Sequence, residues 1–420
     1  MAKNRIVAGI ELGSSKIATV VSQVSVDPTT FETSVSVMGV SSVESRGIRK
    51  GQIVDIEEAV EATISSVEAA ERMAGYNLDK AFIALGGAHL HSQNSHGVVA
   101  VSDPEGEISP DDVERVIEAA SAISLPQSRE VIHVVPKEFI VDGEAGVKDA
   151  VGMSGVRLEV ETHIITAAAA AIKNIGKALN EVGVAIEDLV FSGLASSFAV
   201  LSSTEKELGC VLVDIGGGTT SIVAYIDGGL AYSGVIPIGA KNVTNDLAIG
   251  LRVSLESAEQ VKLSLSSEKK KDEEESDMID ISEMGATDTK KVSKKTLTEG
   301  IIRPRLNEIF TMVRIELEKA GIANRVPSGV IVTGGGAETV GSIDCAKRML
   351  SLPVRIGKPR GVSGLIDDII TPTFATPVGL ILYGASVGAP VPPQGFGKNI
   401  KFPSMGFAGK IIDSIKNLLP

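Results

Sequence analysis

Two stretches of this chain, about 200 residues apart, repeat one pattern, and an internal duplication of that kind constrains the fold more than any other feature. Each is an apolar run, an acid, any residue, a glycine, a small hydroxyl or glycine, and then a second apolar run. The first is Ile6 to Ile10 followed by Glu11-Leu12-Gly13-Ser14-Ser15-Lys16. The second is Cys210 to Val213 followed by Asp214-Ile215-Gly216-Gly217-Gly218-Thr219-Thr220. A strand-turn-strand unit used twice at that separation predicts two lobes of related α/β architecture. The length agrees: 420 residues exceed the roughly 250–300 at which one core stops growing. A third glycine turn, Thr333-Gly334-Gly335-Gly336-Ala337-Glu338, follows the apolar run Val330 to Val332 and has no acid at the strand end.

Glycine turns of this kind present backbone N–H groups in a concave nest clear of side chains, which suits phosphate oxygens. Ser14, Ser15, Thr219 and Thr220 add hydroxyl donors, and Lys16 adds positive charge. Glu11 and Asp214, at the strand ends, suit a hydrated Mg2+, which takes one or two carboxylates and keeps several waters. Two such hairpins facing each other would clamp a polyphosphate between the lobes. The third turn suits a nucleoside passing close to the backbone. A tight hairpin alone explains any single turn; three in this order and spacing ask for more.

Composition removes other classes. A net charge of −13 argues against a general nucleic-acid binder. Cys210 and Cys345 are far apart in sequence and lack metal-like spacing, as expected of two small buried residues in a reducing cytosol. No apolar stretch approaches the about 18–20 residues of a membrane span, and Met1 to Ile10 lacks a signal-peptide core. The expectation is a protein that stays inside the cell and does not cross a membrane, although it is free to lie on one.

Along the chain, apolar runs at Ile17 to Val21 and Val35 to Val40 continue the first sheet. Asp55, with Glu58 at the capping-box spacing, predicts a helix ended by Gly75. From Ala81 to His163, strand-like runs (Ala81 to Leu85, Gly97 to Val101, Glu130 to Val135) surround a helix opened by Ser109-Pro110, which reads as a small inserted α+β subdomain. All five histidines (His89, His91, His96, His133, His163) fall in or next to it. Structural polar roles are expected of them rather than a metal site, with His89 and His91 on one strand face. An alanine-rich helix is expected over Ile164 to Leu179. Ser266 to Lys295, with its Lys269-Lys270-Lys271-Asp272-Glu273-Glu274-Glu275 run, reads as a solvated loop. A helix from about Leu297 to Ala320 follows.

The three turns resemble the phosphate-1, phosphate-2 and adenosine motifs of the actin superfamily, and Pro377-Val378-Gly379-Leu380-Ile381-Leu382-Tyr383-Gly384 resembles its last connecting helix. Within it, the chain is most similar to the FtsA family of cell division proteins. Ser45-Arg46-Gly47-Ile48 with Val54-Asp55-Ile56-Glu57, Gly87-Ala88-His89, Ser92 to Gly97, Pro136 to Gly143 and Val151 to Leu158 carry that likeness.

The resemblance implies an α/β, actin-like two-lobed fold with duplicated mixed β-sheets flanked by helices, plus an FtsA-type inserted subdomain 1C. Residues 1–84 and 164–202 would form the first lobe's core (1A), and 85–163 the insert. Residues 203–240 and 301–364 would form the second lobe's core (2A), with 241–300 its outer subdomain 2B carrying the charged loop 266–295. Residues 365–388 would be a closing helix of the first lobe, 389–405 a linker and 406–420 an amphipathic helix.

The implied ligand is ATP with Mg2+, with Asp214 the candidate catalytic residue that positions the ion or water. Glu259 and Lys262 sit where the family flanks adenine, although an ordinary charged helix face explains them as well. The implied function is a peripheral protein of the cytoplasmic membrane face at the division septum. It would polymerise, anchor the Z ring through the FtsZ C-terminal tail and recruit other divisome proteins. Arg303 and Arg305, at a helix start, would meet the acidic tail, although arginines in solvent account for them too. A PilM-like pilus adaptor, or an actin-fold sugar kinase or DnaK-type ATPase, is the alternative.

Two departures from the superfamily pattern stand out. Position 11 is Glu rather than Asp, which moves the carboxylate by about 1.5 Å and is expected to weaken or shift the ion. The Ile164 to Ala171 stretch lacks the Gln or Glu that orients attacking water, so tight binding and slow or negligible turnover are expected.

The C-terminal residues carry a separate signal. Gly388 to Met405 is rich in Gly and Pro and reads as a linker. Phe407, Ile411, Ile412, Ile415, Leu418 and Leu419 then recur at steps of three and four, with Lys410 and Lys416 among the intervening positions. With Lys398 and Lys401 this end carries four lysines against Asp413, reversing the charge of the acidic body. Apolar burial plus attraction to anionic lipid predicts reversible binding to a membrane surface.

Overall fold

The computed structural model describes residues 4–27, 30, 32–267, 277–282, 291–365 and 367–387. The first lobe opens with β1 (Arg5–Leu12), β2 (Lys16–Val26) and β3 (Thr33–Glu44). A two-residue hairpin, β4 (Ile48–Arg49) and β5 (Gln52–Ile53), leads to α1 (Ile56–Ala74) and β6 (Lys80–Leu85). Asp55 caps α1, its side chain accepting from the Glu58 amide, and Gly75 closes it in the left-handed conformation. The insert comprises β7 (His91–Ala100), α2 (Pro110–Ser121), β8 (Arg129–Val141), β9 (Glu144–Val147) and β10 (Arg157–Ala168). Ser109 and Asp112 form the capping box that starts α2. The chain returns to the first lobe through α3 (Ala169–Val182) and β11 (Ala185–Phe191), then crosses over through α4 (Ser192–Val200) and α5 (Ser203–Leu208).

The second lobe begins with β12 (Cys210–Ile215), β13 (Thr220–Ile226), β14 (Gly229–Ile236), α6 (Ala240–Leu251) and α7 (Leu255–Ser267). A short pair, β15 (Met278–Asp280) and β16 (Lys291–Ser293), precedes α8 (Lys294–Leu297), a π-turn at Thr298–Ile302 and α9 (Arg303–Lys319). After β17 (Val330–Thr333), α10 (Ser342–Leu350) and β18 (Val354–Ile356), the chain goes back to the first lobe for β19 (Ser363–Gly364) and α11 (Ala375–Val387).

The duplication is topological. One sheet runs β11-β6-β1-β2-β3-β19 and the other β18-β17-β12-β13-β14 when read in the matching direction. In both, the first two pairings are parallel and the next two antiparallel. One apolar core fills the first lobe and continues onto one face of the second sheet through Leu212, Val223 and Ile331, a second lies within the second lobe, and a third lies in the insert, where α2 covers β7, β8 and β10. This is the actin-like α/β architecture that the sequence predicts.

Four local expectations need correction. Ala81 to Leu85 does not belong to the insert: β6 pairs with β1 and β11 in the first sheet. The alanine-rich helix starts at Ala169, not Ile164, because Ile164 pairs with Gln93 on one side and Val134 on the other. Burial between two strands overrides the helix propensity of the alanines there. The span 266–295 is not all loop. Ser266 and Ser267 finish α7, and β15 and β16 pair, with Ile279 and Ile281 buried against the second core. Residues 268–276 and 283–290 lie outside the described residues. Finally, β7 starts at His91, so His89 precedes the strand.

His133 and His163 are both buried and neutral. His133 Nε2 accepts the Phe191 N–H at 3.0 Å. His163 bridges Asn94 Oδ1 at 2.7 Å and Ser233 Oγ at 2.9 Å, which ties the insert to β14 of the second lobe. Burial pushes them down to about 4 and about 3. Both folded values lie below the ordinary histidine value, so on acidification the unfolded chain takes up protons first. Stability that is whole above pH ~6.5 is therefore lost as pH falls towards 4, on the order of 3 kcal/mol for each histidine. The melting temperature is expected to drop across that window, and His163→Gln to reduce the slope. An unchanged slope in the variant would contradict this.

Candidate functional site

The two duplicated hairpins meet. In the first, the Gly13 N–H donates to the Lys16 carbonyl at 3.0 Å; in the second, Gly216 N–H donates to the Thr219 carbonyl at 2.9 Å. The strand registers match as well: Glu11 lies opposite Ala18 and Asp214 opposite Ser221. The tips pack directly on each other. A Cβ on Gly217 would lie 2.8 Å from Ser15 Cβ, and one on Gly218 would lie 2.8 Å from Ser14 Oγ. Only glycine permits that approach. Behind the second tip, the first amides of α6 hold it in place: Ala240 N–H donates to Gly216 O and Lys241 N–H to Gly217 O, each at 2.8 Å.

The third turn closes on the same place. Gly334 has φ +81° and sits against Asp214 Oδ1, and Gly336 sits against the Ile215 side chain; a Cβ at either would collide. The result is a cleft of about 710 Å³ between the lobes. Its walls include Glu11, Gly13, Ser14, Ser15, Lys16, Asp214, Gly216, Gly217, Gly218, Thr219, Glu259, Lys262, Gly334, Gly335, Gly336 and Glu338. Thr220 is the exception among the expected residues. It is buried in β13, where its hydroxyl donates to the Ile238 carbonyl at 2.8 Å, so it points away from the cleft.

The charges are arranged in pairs. Lys16 Nζ lies 2.5 Å from Glu11 Oε2 and 4.9 Å from the centre of the Phe374 ring. On the opposite wall, buried Lys262 contacts Glu259 at 2.7 Å and Thr244 Oγ1 at 3.0 Å. Asp214 is buried, and its Oδ2 accepts from Ser196 at 2.5 Å and Thr376 at 3.2 Å. Burial pushes its carboxyl up to about 6; the Ser196 hydrogen bond opposes that rise and the Glu11 charge adds to it. Thr376, Lys241 and Asn245 line the cleft and Ser196 is buried behind Asp214; none was legible as a site residue, since nothing in their sequence context separates them from ordinary helix positions. Gly51 joins them through the β4–β5 turn, its N–H donating to Ser14 Oγ at 2.9 Å.

The cleft can accept an anionic, elongated ligand. The backbone of the three glycine turns, the hydroxyls of Ser14, Ser15 and Thr219 and the lysines Lys16, Lys241 and Lys262 line it, and the two carboxylates of the strand ends suit a hydrated hard cation. Among the described residues there is no group of three or more His, Cys, Asp or Glu placed to hold a metal directly. Arg303 and Arg305 lie elsewhere, at the start of α9, and both are already paired. Arg303 contacts Glu299 at 3.3 Å and Asp344 at 3.4 Å. Arg305 makes a two-pronged contact with Asp246 at 2.6 and 3.0 Å and meets Glu308 at 2.5 Å. Phe407, Lys410, Ile411, Ile412, Ile415, Lys416, Leu418 and Leu419 lie outside the described residues.

Known proteins resemble this chain over most of its length. The chain is 39% identical over 384 residues to cell division protein FtsA of Borreliella burgdorferi, covering 91% of each chain. The chain belongs to the FtsA family. FtsA of Pseudomonas aeruginosa is 37% identical over 380 residues, covering 90% of this chain and 89% of that one. The family description "SHS2 domain inserted in FTSA" matches residues 87–166, and "Cell division protein FtsA" matches residues 211–379. Among solved structures, a PilM-PilN type IV pilus biogenesis complex superposes with a TM-score of 0.63 at 18% identity, over 90% of this chain and 98% of that one. MreB5 of Spiroplasma citri bound to ADP gives 0.50 at 15% identity, over 89% and 94%. At such identities the likeness shows the fold alone, so the pilus-adaptor alternative yields to FtsA. No helix among the described residues is long and apolar enough to cross a membrane.

Proposed function

We propose that this cell division protein binds ATP with Mg2+ between its lobes, polymerises on the cytoplasmic membrane face at the septum, and anchors the FtsZ ring there. The observation that carries the nucleotide part is the convergence of all three glycine turns on one cleft. Lys16 and the hydroxyls of Ser14, Ser15 and Thr219 would face the phosphates. Glu11 and Asp214 would hold Mg2+ through water, and Glu259 and Lys262 would flank the base. The Gly334 to Glu338 turn would pass the nucleoside. When bound, the ion neutralises phosphate charge. Lys16 must then release Glu11 to reach a phosphate, which frees that carboxylate for the ion's water shell.

The membrane part rests on the apolar stripe from Phe407 to Leu419 and its lysines. One interfacial helix binds weakly, so self-assembly would multiply it by avidity and recruit further divisome proteins to the same patch. For FtsZ, Arg303 and Arg305 are the docking residues, and an acidic tail would displace Glu299, Asp344, Asp246 and Glu308 from them.

Co-sedimentation with anionic vesicles and ATP tests the reading. The full chain is expected to pellet and to carry an FtsZ tail peptide down. A chain ending at Gly388 is expected to pellet at least about tenfold less while still binding nucleotide. A full chain that stays in solution and ignores the peptide would sink the adaptor reading.

A further inference from the structure

The chain passes between the lobes twice, out through α4 to β12 and back from β18 to β19 and α11. The two helices at these passages cross where Gly379 meets the Ala195 carbonyl, so closely that a Cβ would collide with it. Beside that crossing, Ser196 of α4 and Thr376 of α11 face each other, their hydroxyl oxygens 2.9 Å apart. Both also reach one atom of the cleft, Asp214 Oδ2, at 2.5 and 3.2 Å. All three side chains are buried. The second oxygen, Oδ1, lies against Gly334 of the third turn. A single carboxylate at the end of β12 therefore touches both inter-lobe helices with one oxygen and the third glycine turn with the other.

We propose that Ser196 and Thr376 are positioning residues that couple the placement of Asp214 in the cleft to the angle between the lobes. The inference rests on the nucleotide reading above. A carboxylate accepts hydrogen bonds along restricted directions, and two donors from different helices share one of its oxygens. Drawing Asp214 towards a ligand moves that oxygen relative to both. In a buried site no bulk water replaces a lost partner, and an orphaned hydroxyl carries a desolvation cost. The alternative is for α4 and α11 to follow, and the close backbone contact between Gly379 and Ala195 is the point about which they would turn. Because each helix begins or ends a passage between lobes, a small turn there becomes a lobe rotation.

Hydrogen–deuterium exchange on the full chain at saturating Mg·ATP tests this, with nucleotide occupancy measured in the same samples by equilibrium dialysis. In the unaltered protein, nucleotide is expected to slow exchange of the amides at 192–200 and 375–387 by about tenfold, a coupling of ordinary size. In Ser196→Ala and Thr376→Val, each saturated with nucleotide, the slowing is expected to shrink to less than about twofold. Thr376→Ser, which keeps the hydroxyl, is expected to restore it. Should Thr376→Val fail to fold, Ser196→Ala, which removes one oxygen, carries the test. Saturated Ser196→Ala that slows its helices as much as the unaltered protein overturns the proposal. So does an unaltered chain that binds nucleotide with no slowing. A chain that binds no nucleotide in dialysis overturns the nucleotide reading itself, and this coupling with it.

Discussion

Gly379→Ala is expected to lower the melting temperature by about 3 °C or more, a large effect for one methyl group in a chain of this length. The methyl would enter the Ala195 carbonyl at the crossing of α4 and α11. That carbonyl belongs to a helix packed into the main core and cannot retreat alone, so the two helices must separate. Overpacking of this kind costs about 1–3 kcal/mol or more, and here it also loosens the contact that joins the lobes. Gly176→Ala is the control. Gly176 lies in α3, where an added methyl would meet nothing within 4 Å, so alanine there should stabilise by about 0.5–1 kcal/mol through helix propensity. Differential scanning calorimetry on both variants decides the matter: similar melting temperatures would mean that the crossing yields more readily than its geometry implies.

Asp214→Asn is expected to separate stability from binding. The carboxylate is buried, and burial disfavours its charged form. Its folded value lies above the ordinary aspartate value, so above pH ~6 the charge detracts from stability, and an isosteric amide removes that cost. The variant should therefore be at least as stable as the unaltered chain at pH 7.5. Its affinity for Mg·ATP should nevertheless fall by about 10- to 100-fold, the size of a lost charged hydrogen bond. Any phosphate release by the unaltered chain should be slow, since the stretch from Ile164 to Ala171 supplies no Gln or Glu to orient water. Chemical denaturation and a nucleotide titration on one preparation read both quantities. A variant that loses stability and keeps its affinity would assign Asp214 to the core rather than to the ligand.

Much of the site could be read from local pattern. The glycine turns were legible because each is a contiguous stretch with a backbone requirement that few residues meet, and because the first two repeat. Their glycines, acids and flanking hydroxyls stand together in the cleft, whereas Thr220 has the same local pattern and faces the other way. A strand alternates its faces, so one residue's shift turns a candidate ligand into a buried hydroxyl. Arg303 and Arg305 were legible as a basic pair at a helix start, but their carboxylate partners Asp344 and Asp246 come from other segments.

The sequence by itself determined the duplication, the caps at Asp55 and Ser109, and the three turns, because each is set by interactions spanning a few neighbours. Only the tertiary structure decided that Ile164 lies in a strand, that Ile279 and Ile281 anchor a small sheet, and that Ser196, Asp214 and Thr376 meet. Those outcomes depend on partners far away along the chain, and the burial and hydrogen bonding that such partners supply outweigh the local preferences a sequence displays.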